Sequence, residues 1–313
     1  MKRYTFDIGG MGTKFILFEN KNKISSQIIK YKEEKQPDNE IIFQTKLITV
    51  IQEITKILDL EKDEFELAIL IPGVVDSVKK QVLSNSAICD VDLNLVKIFS
   101  KYKNCKKFVL ENDARAALIG EHYYRSNSKI KTQVHLTIGT GLGGALIINN
   151  RVHKGNLLRA GEFGKGFASL EVGQDLPIAA YGGLGSVLFR YKMAIKSKEF
   201  IDGETAFAMY EKKDPIMTTL FDNLITALAK LIINLDYILD YDLITLGGGI
   251  SNNKKFIDLI FAKLLEAESF NYEGRILYPD LMVKNKVEVA KLKNEAACYG
   301  GLYILEYGDK IYE

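Results

Sequence analysis

Three glycine-rich turns and two aspartates are the residues of this chain best suited to chemistry. The turns are Gly9-Gly10-Met11-Gly12, Gly139-Thr140-Gly141-Leu142-Gly143-Gly144 and Gly247-Gly248-Gly249. Glycine lets backbone N–H groups approach an anion closely and adopts dihedrals that other residues avoid, so such turns suit phosphate oxygens. None has the Gly-x-x-x-x-Gly-Lys-Ser/Thr spacing, and the first two lead into strand-like sequence, which argues against a P-loop and a Rossmann dinucleotide site. A lone turn of this kind is structural more often than not; three at strand ends favour a ligand. Asp7 stands just before the first turn, where a carboxylate can hold Mg²⁺ or its waters beside phosphates, or merely stabilise the turn. Asp113 follows an apolar strand and an Asn and precedes a helical run. It suits a helix N-cap, and equally a carboxylate fixed rigidly at the mouth of a cleft.

The elements that must position these groups show an internal repeat. Phe6 to Phe18 lies without a gap on Leu136 to Ile148, each reading strand, glycine-rich turn, strand, and each runs on into a short polar turn. A duplicated lobe follows. Between the hairpins, apolar residues at Ile41, Ile42, Leu47, Ile48, Ile51, Ile54 and Ile57 predict a helix from Asp38 to Leu58. Phe65 to Ile71 reads as a strand ended by Pro72-Gly73, and Phe108 to Glu111 as another, followed by a helix from Ala114 to Tyr124. Ligands meet the carboxyl ends of such strands in α/β folds. Later, a helix from Leu220 to Leu239 precedes the strand Leu243 to Leu246, which ends in Gly247. The division into lobes falls near residue 130, giving residues 1–130 and 131–313, with the final helix expected to pack back on the first lobe.

At 313 residues the chain is long for one core and suits two. Hydrophobic residues at 47% and charged residues at 26% are ordinary for globular domains. Lys plus Arg number 42 against 40 Asp plus Glu, and a net charge of +2 supplies no field for nucleic acid or an acidic membrane. Small molecules are the expected partners. Cys89, Cys105 and Cys298 are odd in number and far apart, indicating neither a disulfide framework nor a thiolate zinc cluster. The first residues lack an apolar leader, and no run approaches about 18 uninterrupted apolar residues, so a cytoplasmic protein is expected.

Six motifs in order then resemble the ROK family of sugar kinases and repressors. They are Asp7-Ile8-Gly9-Gly10, Pro72-Gly73-Val74-Val75-Asp76, Glu111-Asn112-Asp113-Ala114, Gly139 to Gly144, Ala160-Gly161-Glu162-Phe163-Gly164 and Gly247-Gly248-Gly249-Ile250-Ser251. The segment Asn294 to Gly300 looks like the family's final helix. The resemblance implies an α/β, duplicated actin-like (ribonuclease-H-like) fold of two lobes, in agreement with the internal repeat. It implies an ATP-dependent kinase with Asp113 as the base that takes a proton from a sugar hydroxyl. Asn112 and Glu162 would bond ring hydroxyls, with Gly73 and Asn85 lining the same pocket. Gly9, Gly10, Gly139, Thr140 and Gly141 would face the ATP phosphates, and Gly247 and Gly248 the adenosine, with Mg²⁺ at Asp7. A homodimer is the family's expectation.

Four departures qualify the carry-over. Met11 stands where the family has Thr, leaving Thr13, on the same side of the strand but deeper, as the nearest hydroxyl for phosphate. Lys165 replaces the zinc-binding His, and Phe167 to Asp175 replaces the cysteine-bearing loop, so no zinc is expected. Ala179-Ala180-Tyr181-Gly182-Gly183 lacks a carboxylate that often touches the sugar. The zinc-free branch includes N-acetylmannosamine kinases and β-glucoside or glucose kinases, all acting on the 6-hydroxyl. Ala179 and the small Gly182-Gly183 pair suggest a roomier, less polar wall, which favours N-acetylmannosamine, with a β-glucoside or glucose as the alternative. A repressor would carry an N-terminal helix-turn-helix that is not seen before the first strand. A non-catalytic sugar-binding regulator is the reading from another class.

Overall fold

The computed structural model describes residues 1–10, 12–31, 45–166, 176–196, 201–267, 270–272, 275–277 and 282–312. Met11, the 38–44 part of the expected helix and the 167–175 loop lie outside these residues. The chain forms two compact units that are discontinuous in sequence. One comprises Met1–Asn127, Asn150–Arg159 and Glu295–Glu313; the other Ser128–Asn149 and Ala160–Asn294. Of the two contiguous segments expected, 1–130 and 131–313, the second is interrupted, since residues 150–159 belong to the first unit, as does the final helix.

In the first unit five strands lie in the order Asn22–Lys30, Gly12–Glu19, Lys2–Ile8, Phe65–Ile71, Cys105–Asn112. The hairpin strands are antiparallel, and the last three strands are parallel. The helix Leu47–Leu58 turns Leu47, Val50, Ile51, Ile54 and Leu58 onto one face of the sheet, at roughly 1.5–3 kcal/mol for each side chain fully buried. Its expected start at Asp38 is not met, because Thr45 and Lys46 are extended and pair with Ile88 and Cys89. The other helical layer is built by Asp113–Arg125 and Ala296–Tyr307, which touch at glycines. A Cβ on Gly120 would lie 2.1 Å from the Ala296 carbonyl oxygen, and one on Gly300 1.8 Å from that of Ala116. Only backbones without side chains approach so closely.

In the second unit the strands Leu142–Ile148, Gln133–Ile138, Leu243–Gly247 and Val287–Val289 are neighbours in that order, the first pair antiparallel and the others parallel. The repeat seen in the sequence is therefore a repeat of topology, with one correction. Ile8 faces Thr13 in the first hairpin, whereas Ile138 faces Leu142 in the second. The second turn is one residue shorter, closed by Gly139 N–H donating to Gly141 O rather than by the Gly9 to Gly12 bond, so the gapless superposition slips after the turn. The helix Pro215–Leu239 begins with Asp214 accepting from Met217 N–H and Pro at its first turn, earlier than the expected Leu220. It is long and apolar enough to cross a bilayer by length and composition. Phe221, Leu224, Leu228, Ile232 and Leu235 are nevertheless buried in this unit's core.

Candidate functional site

In the first unit the candidate residues gather where the parallel strands end at their carboxyl termini. Asp7 pairs with Leu70 and Ile71 with Asn112, so the ends of three strands bring Asp7, Pro72-Gly73 and Asn112-Asp113 to one edge. Gly73 has φ +106°, and a Cβ there would meet the Ser84 carbonyl oxygen at 2.7 Å. Ser84 Oγ accepts from Val74 N–H at 2.9 Å, and Ser86 Oγ donates to Pro72 O at 3.1 Å. These bonds hold Ser84-Asn85-Ser86 against the glycine and leave Asn85 exposed.

The helix cap settles which of two neighbours does local work. Asn112, not Asp113, is the N-cap: its Oδ1 accepts from Arg115 N–H at 2.9 Å. Its amide nitrogen donates to Gly73 O and to Asp113 Oδ1, both at 3.0 Å. Both amide hydrogens of Asn112 are thereby spent, so the side chain orients the carboxylate beside it. Asp113 Oδ1 also accepts from Ala114 N–H at 2.8 Å. Two N–H donors at a helix N-terminus hold this carboxylate in one orientation. Asp7 lies near the carboxyl end of the strand Lys2–Ile8. Burial, and then the charge of Asp113, push its carboxyl up to about 7, with Lys14 pulling the other way. Two acids that feel one another at the end of a sheet are the arrangement that a cation or a proton relay uses.

The sequence did not single out Glu111 or Arg115. Glu111 is fully buried, and its Oε1 accepts from Asn112 N–H and Arg115 Nε, each at 2.7 Å, while Arg115 Nη2 donates to Val75 O at 2.8 Å. An ionised pair enclosed in this way supports the turn on which Asn112 and Asp113 sit. Its one sequence signal is a charged residue closing an otherwise apolar strand. Thr45, likewise missed, donates its hydroxyl to Gly10 O at 2.8 Å, and a Cβ on Gly10 would meet the Ala87 Cβ at 2.9 Å, so the first glycine turn is packed from one side. Thr13, expected as the hydroxyl nearest the phosphates, is enclosed in the sheet. It is 1% exposed, and its hydroxyl lies 2.5 Å from the Tyr31 hydroxyl.

The second unit presents its own turn cluster. Among the described residues nothing lies within 4 Å of a Cβ built on Gly139, Gly141 or Gly249, so these turns leave room beside their backbone. Gly248, at φ +86°, packs on the Ile138 carbonyl at 2.2 Å from a built Cβ, which seats the Gly247-Gly248 turn beside Gly139. Leu184 N–H donates to Gly139 O, and Gly185 N–H to Thr140 O, each at 2.9 Å. A Cβ on Gly183 would stand 3.0 Å from Thr140 O, and one on Gly182 3.0 Å from Leu142 Cδ2. The Gly182-Gly183 pair is small because it packs under this turn, so it carries no argument for a wider sugar pocket. Gly161, at φ +90° and packed so that a Cβ built on it would lie 2.7 Å from the Ala145 Cα, fixes the backbone before Glu162. The Glu162 carboxylate meets Lys165 Nζ at 3.1 Å, so the lysine that stands in place of the expected His neutralises the glutamate.

Repeated sheets with glycine turns at the ends of their parallel strands are the signature of the duplicated, actin-like two-lobe fold of sugar kinases. Residues 3–307 match the profile of the ROK family, and the chain belongs to it. It is similar to a β-glucoside kinase of Listeria innocua, 27% identical over 317 residues covering 97% of each chain. It also resembles an N-acetylmannosamine kinase of Haemophilus influenzae, 26% identical over 204 residues, 63% of each chain. Among solved structures, a ROK family glucokinase from Streptomyces griseus in complex with glucose and AMPPNP superposes with a TM-score of 0.71 at 20% identity, covering 97% of this chain and 99% of that one.

Proposed function

We propose that this chain transfers the γ-phosphate of ATP to the 6-hydroxyl of a hexose, with Asp113 as general base. The observation that carries the reading is the Asp113 carboxylate, held at the end of a parallel strand by Asn112 and Ala114 N–H in a ROK family chain. Asp113 accepts the hydroxyl proton as the sugar oxygen bonds to the γ-phosphorus, and the bond from that phosphorus to the β–γ bridging oxygen breaks to release ADP. Catalysis of this type rests on positioning and charge stabilisation. The glycine turn at Gly139 to Gly141 leaves room for a ligand beside its backbone and is suited to phosphate oxygens, as is the Gly9-Gly10 turn. Asp7 fits a divalent cation, being an enclosed oxygen donor beside a second carboxylate, and such a cation would neutralise phosphate charge. The resemblance alone assigns Glu162, Gly73 and Asn85 to the sugar.

A β-glucoside or its parent glucose is the first substrate to test. The full-length likeness to a β-glucoside kinase supports it, and the packing role of Gly182-Gly183 removes one of the two reasons for preferring N-acetylmannosamine, leaving Ala179. N-acetylmannosamine stays in the panel because a shorter likeness points to it. Coupled ADP release over these sugars ranks them. Asp113→Asn should lower kcat by several orders of magnitude with little change in sugar KM, because the amide keeps the shape and loses the base. Near-normal turnover in that variant would remove the mechanism.

A further inference from the structure

The fully buried Glu111 carboxylate has two oxygens in different situations. Oε1 accepts from Asn112 N–H and Arg115 Nε, each at 2.7 Å, and so holds the turn that carries Asp113. Oε2 is equally enclosed and has no hydrogen bond among the described residues. Two groups face it. One is the Lys154 ammonium, 3.8 Å away; the other is the Tyr312 hydroxyl, whose pKa is raised by burial and then by the Glu111 charge. A carboxylate taken this far from water is stable only where its charge is matched.

Both groups come from parts of the chain remote from Glu111 in sequence. Lys154 belongs to residues 150–159 and Tyr312 to residues 295–313, the two segments by which the chain returns to the first unit. These segments hold one another. Tyr312 pairs with Val152 in a parallel bridge, and Val152 and Ile311 are buried. The Lys154 ammonium lies 3.4 Å from the Tyr312 ring centroid and donates to Ser77 Oγ at 2.5 Å. Leu158, in the same segment as Lys154, offers its carbonyl to Arg115 Nη1 at 3.5 Å. The Glu111–Arg115 pair is thus closed off by these two returning segments, on the carboxylate oxygen that Asn112 does not use.

We propose that Lys154 and Tyr312 are positioning residues for Asp113, acting through Glu111. The links are continuous. Glu111 Oε1 fixes Asn112 N–H, the Asn112 amide nitrogen donates to Asp113 Oδ1 at 3.0 Å, and Ala114 N–H donates to the same oxygen at 2.8 Å. Without the Lys154 charge, Oε2 is buried beside the Tyr312 hydroxyl with no cation of its own, so the carboxylate turns away and Asn112 N–H moves with it. A displacement of about 1 Å at a catalytic group can cost about 100-fold in rate. That the turn carries a base rests on the kinase reading; that Lys154 and Tyr312 hold the turn does not.

The test compares the full chain as wild type, Lys154→Met, Lys154→Arg and Tyr312→Leu, with the folded fraction of each set by urea unfolding. Two readouts are taken: kcat and KM with ATP and the sugar that wild type turns over, and the backbone amide NMR resonances of Asn112 and Ala114 without ligand. Lys154→Met and Tyr312→Leu should lower kcat per folded chain by about 10- to 100-fold with both KM values within about threefold, and Lys154→Arg should recover most of the loss. The two amide resonances should shift in Lys154→Met and Tyr312→Leu. Tyr312→Leu, which keeps the ammonium, decides the matter if Lys154→Met does not fold. A merely stabilising role would lower the urea midpoint and leave kcat per folded chain and the amide resonances as in wild type, which overturns the proposal. A loss carried by KM also overturns it, because Lys154 would then act on a ligand rather than on the turn. Should wild type phosphorylate no sugar, the amide resonances alone decide the positioning, and only the kinase reading falls.

Discussion

Asp7→Asn removes a carboxylate that the fold holds against its preference for water. Burial and the nearby Asp113 charge raise its pKa from 3.8 to about 7, Lys14 opposing. An acid whose folded pKa is raised binds its proton more tightly in the folded chain, so its ionisation costs stability above the unfolded value. The cost grows between pH 3.8 and about 7 and is constant above that. Each tenfold difference in proton affinity is worth about 1.4 kcal/mol, which places the full cost near ~4 kcal/mol. Loss of the Lys14 attraction and partial solvent access reduce the expected gain of the variant to about 1–3 kcal/mol. Urea unfolding without nucleotide or divalent cation measures it: the variant should exceed wild type at pH 7.5, and the advantage should shrink to less than half at about pH 5. The same variant should lose phosphoryl transfer, since a stability gain with an activity loss marks a group retained for function. An advantage independent of pH, or none at pH 7.5, would refute the claim that Asp7 is held ionised at a cost.

Glu162→Gln should weaken hexose binding at least tenfold with ATP affinity nearly unchanged, by roughly 1.5–3 kcal/mol for each charged hydrogen bond lost; titration of both ligands decides it, and unchanged sugar affinity would put Glu162 outside the pocket. Gly300→Ala should destabilise the first unit by about 1–3 kcal/mol or more, because the new methyl would stand 1.8 Å from the Ala116 carbonyl oxygen; an unchanged urea midpoint would show that the two helices can separate without cost.

The strand Phe65–Ile71 was legible to the residue because a parallel strand buried on both faces reads as a nearly continuous apolar run, here broken only by Glu66. The hairpins were legible from their glycines, but the one-residue difference between their turns was not, since a glycine-rich segment tolerates either register. The return of the final helix to the first unit was expected, but its contacts were not legible, because they depend on the fit of Gly300 and Gly120 against carbonyl oxygens far away in the chain. At the site the limit was of another kind. Sequence shows which residues own donors and acceptors, and only geometry shows which are already spent. Thr13 owns a hydroxyl, but Tyr31 has taken it; Gly182 and Gly183 own empty space, but Thr140 and Leu142 have filled it. Asn112 owns two amide hydrogens, and they go to the Gly73 carbonyl and the Asp113 carboxylate. Asp113, read from sequence as base or cap, is not the cap, because its neighbour has taken that place.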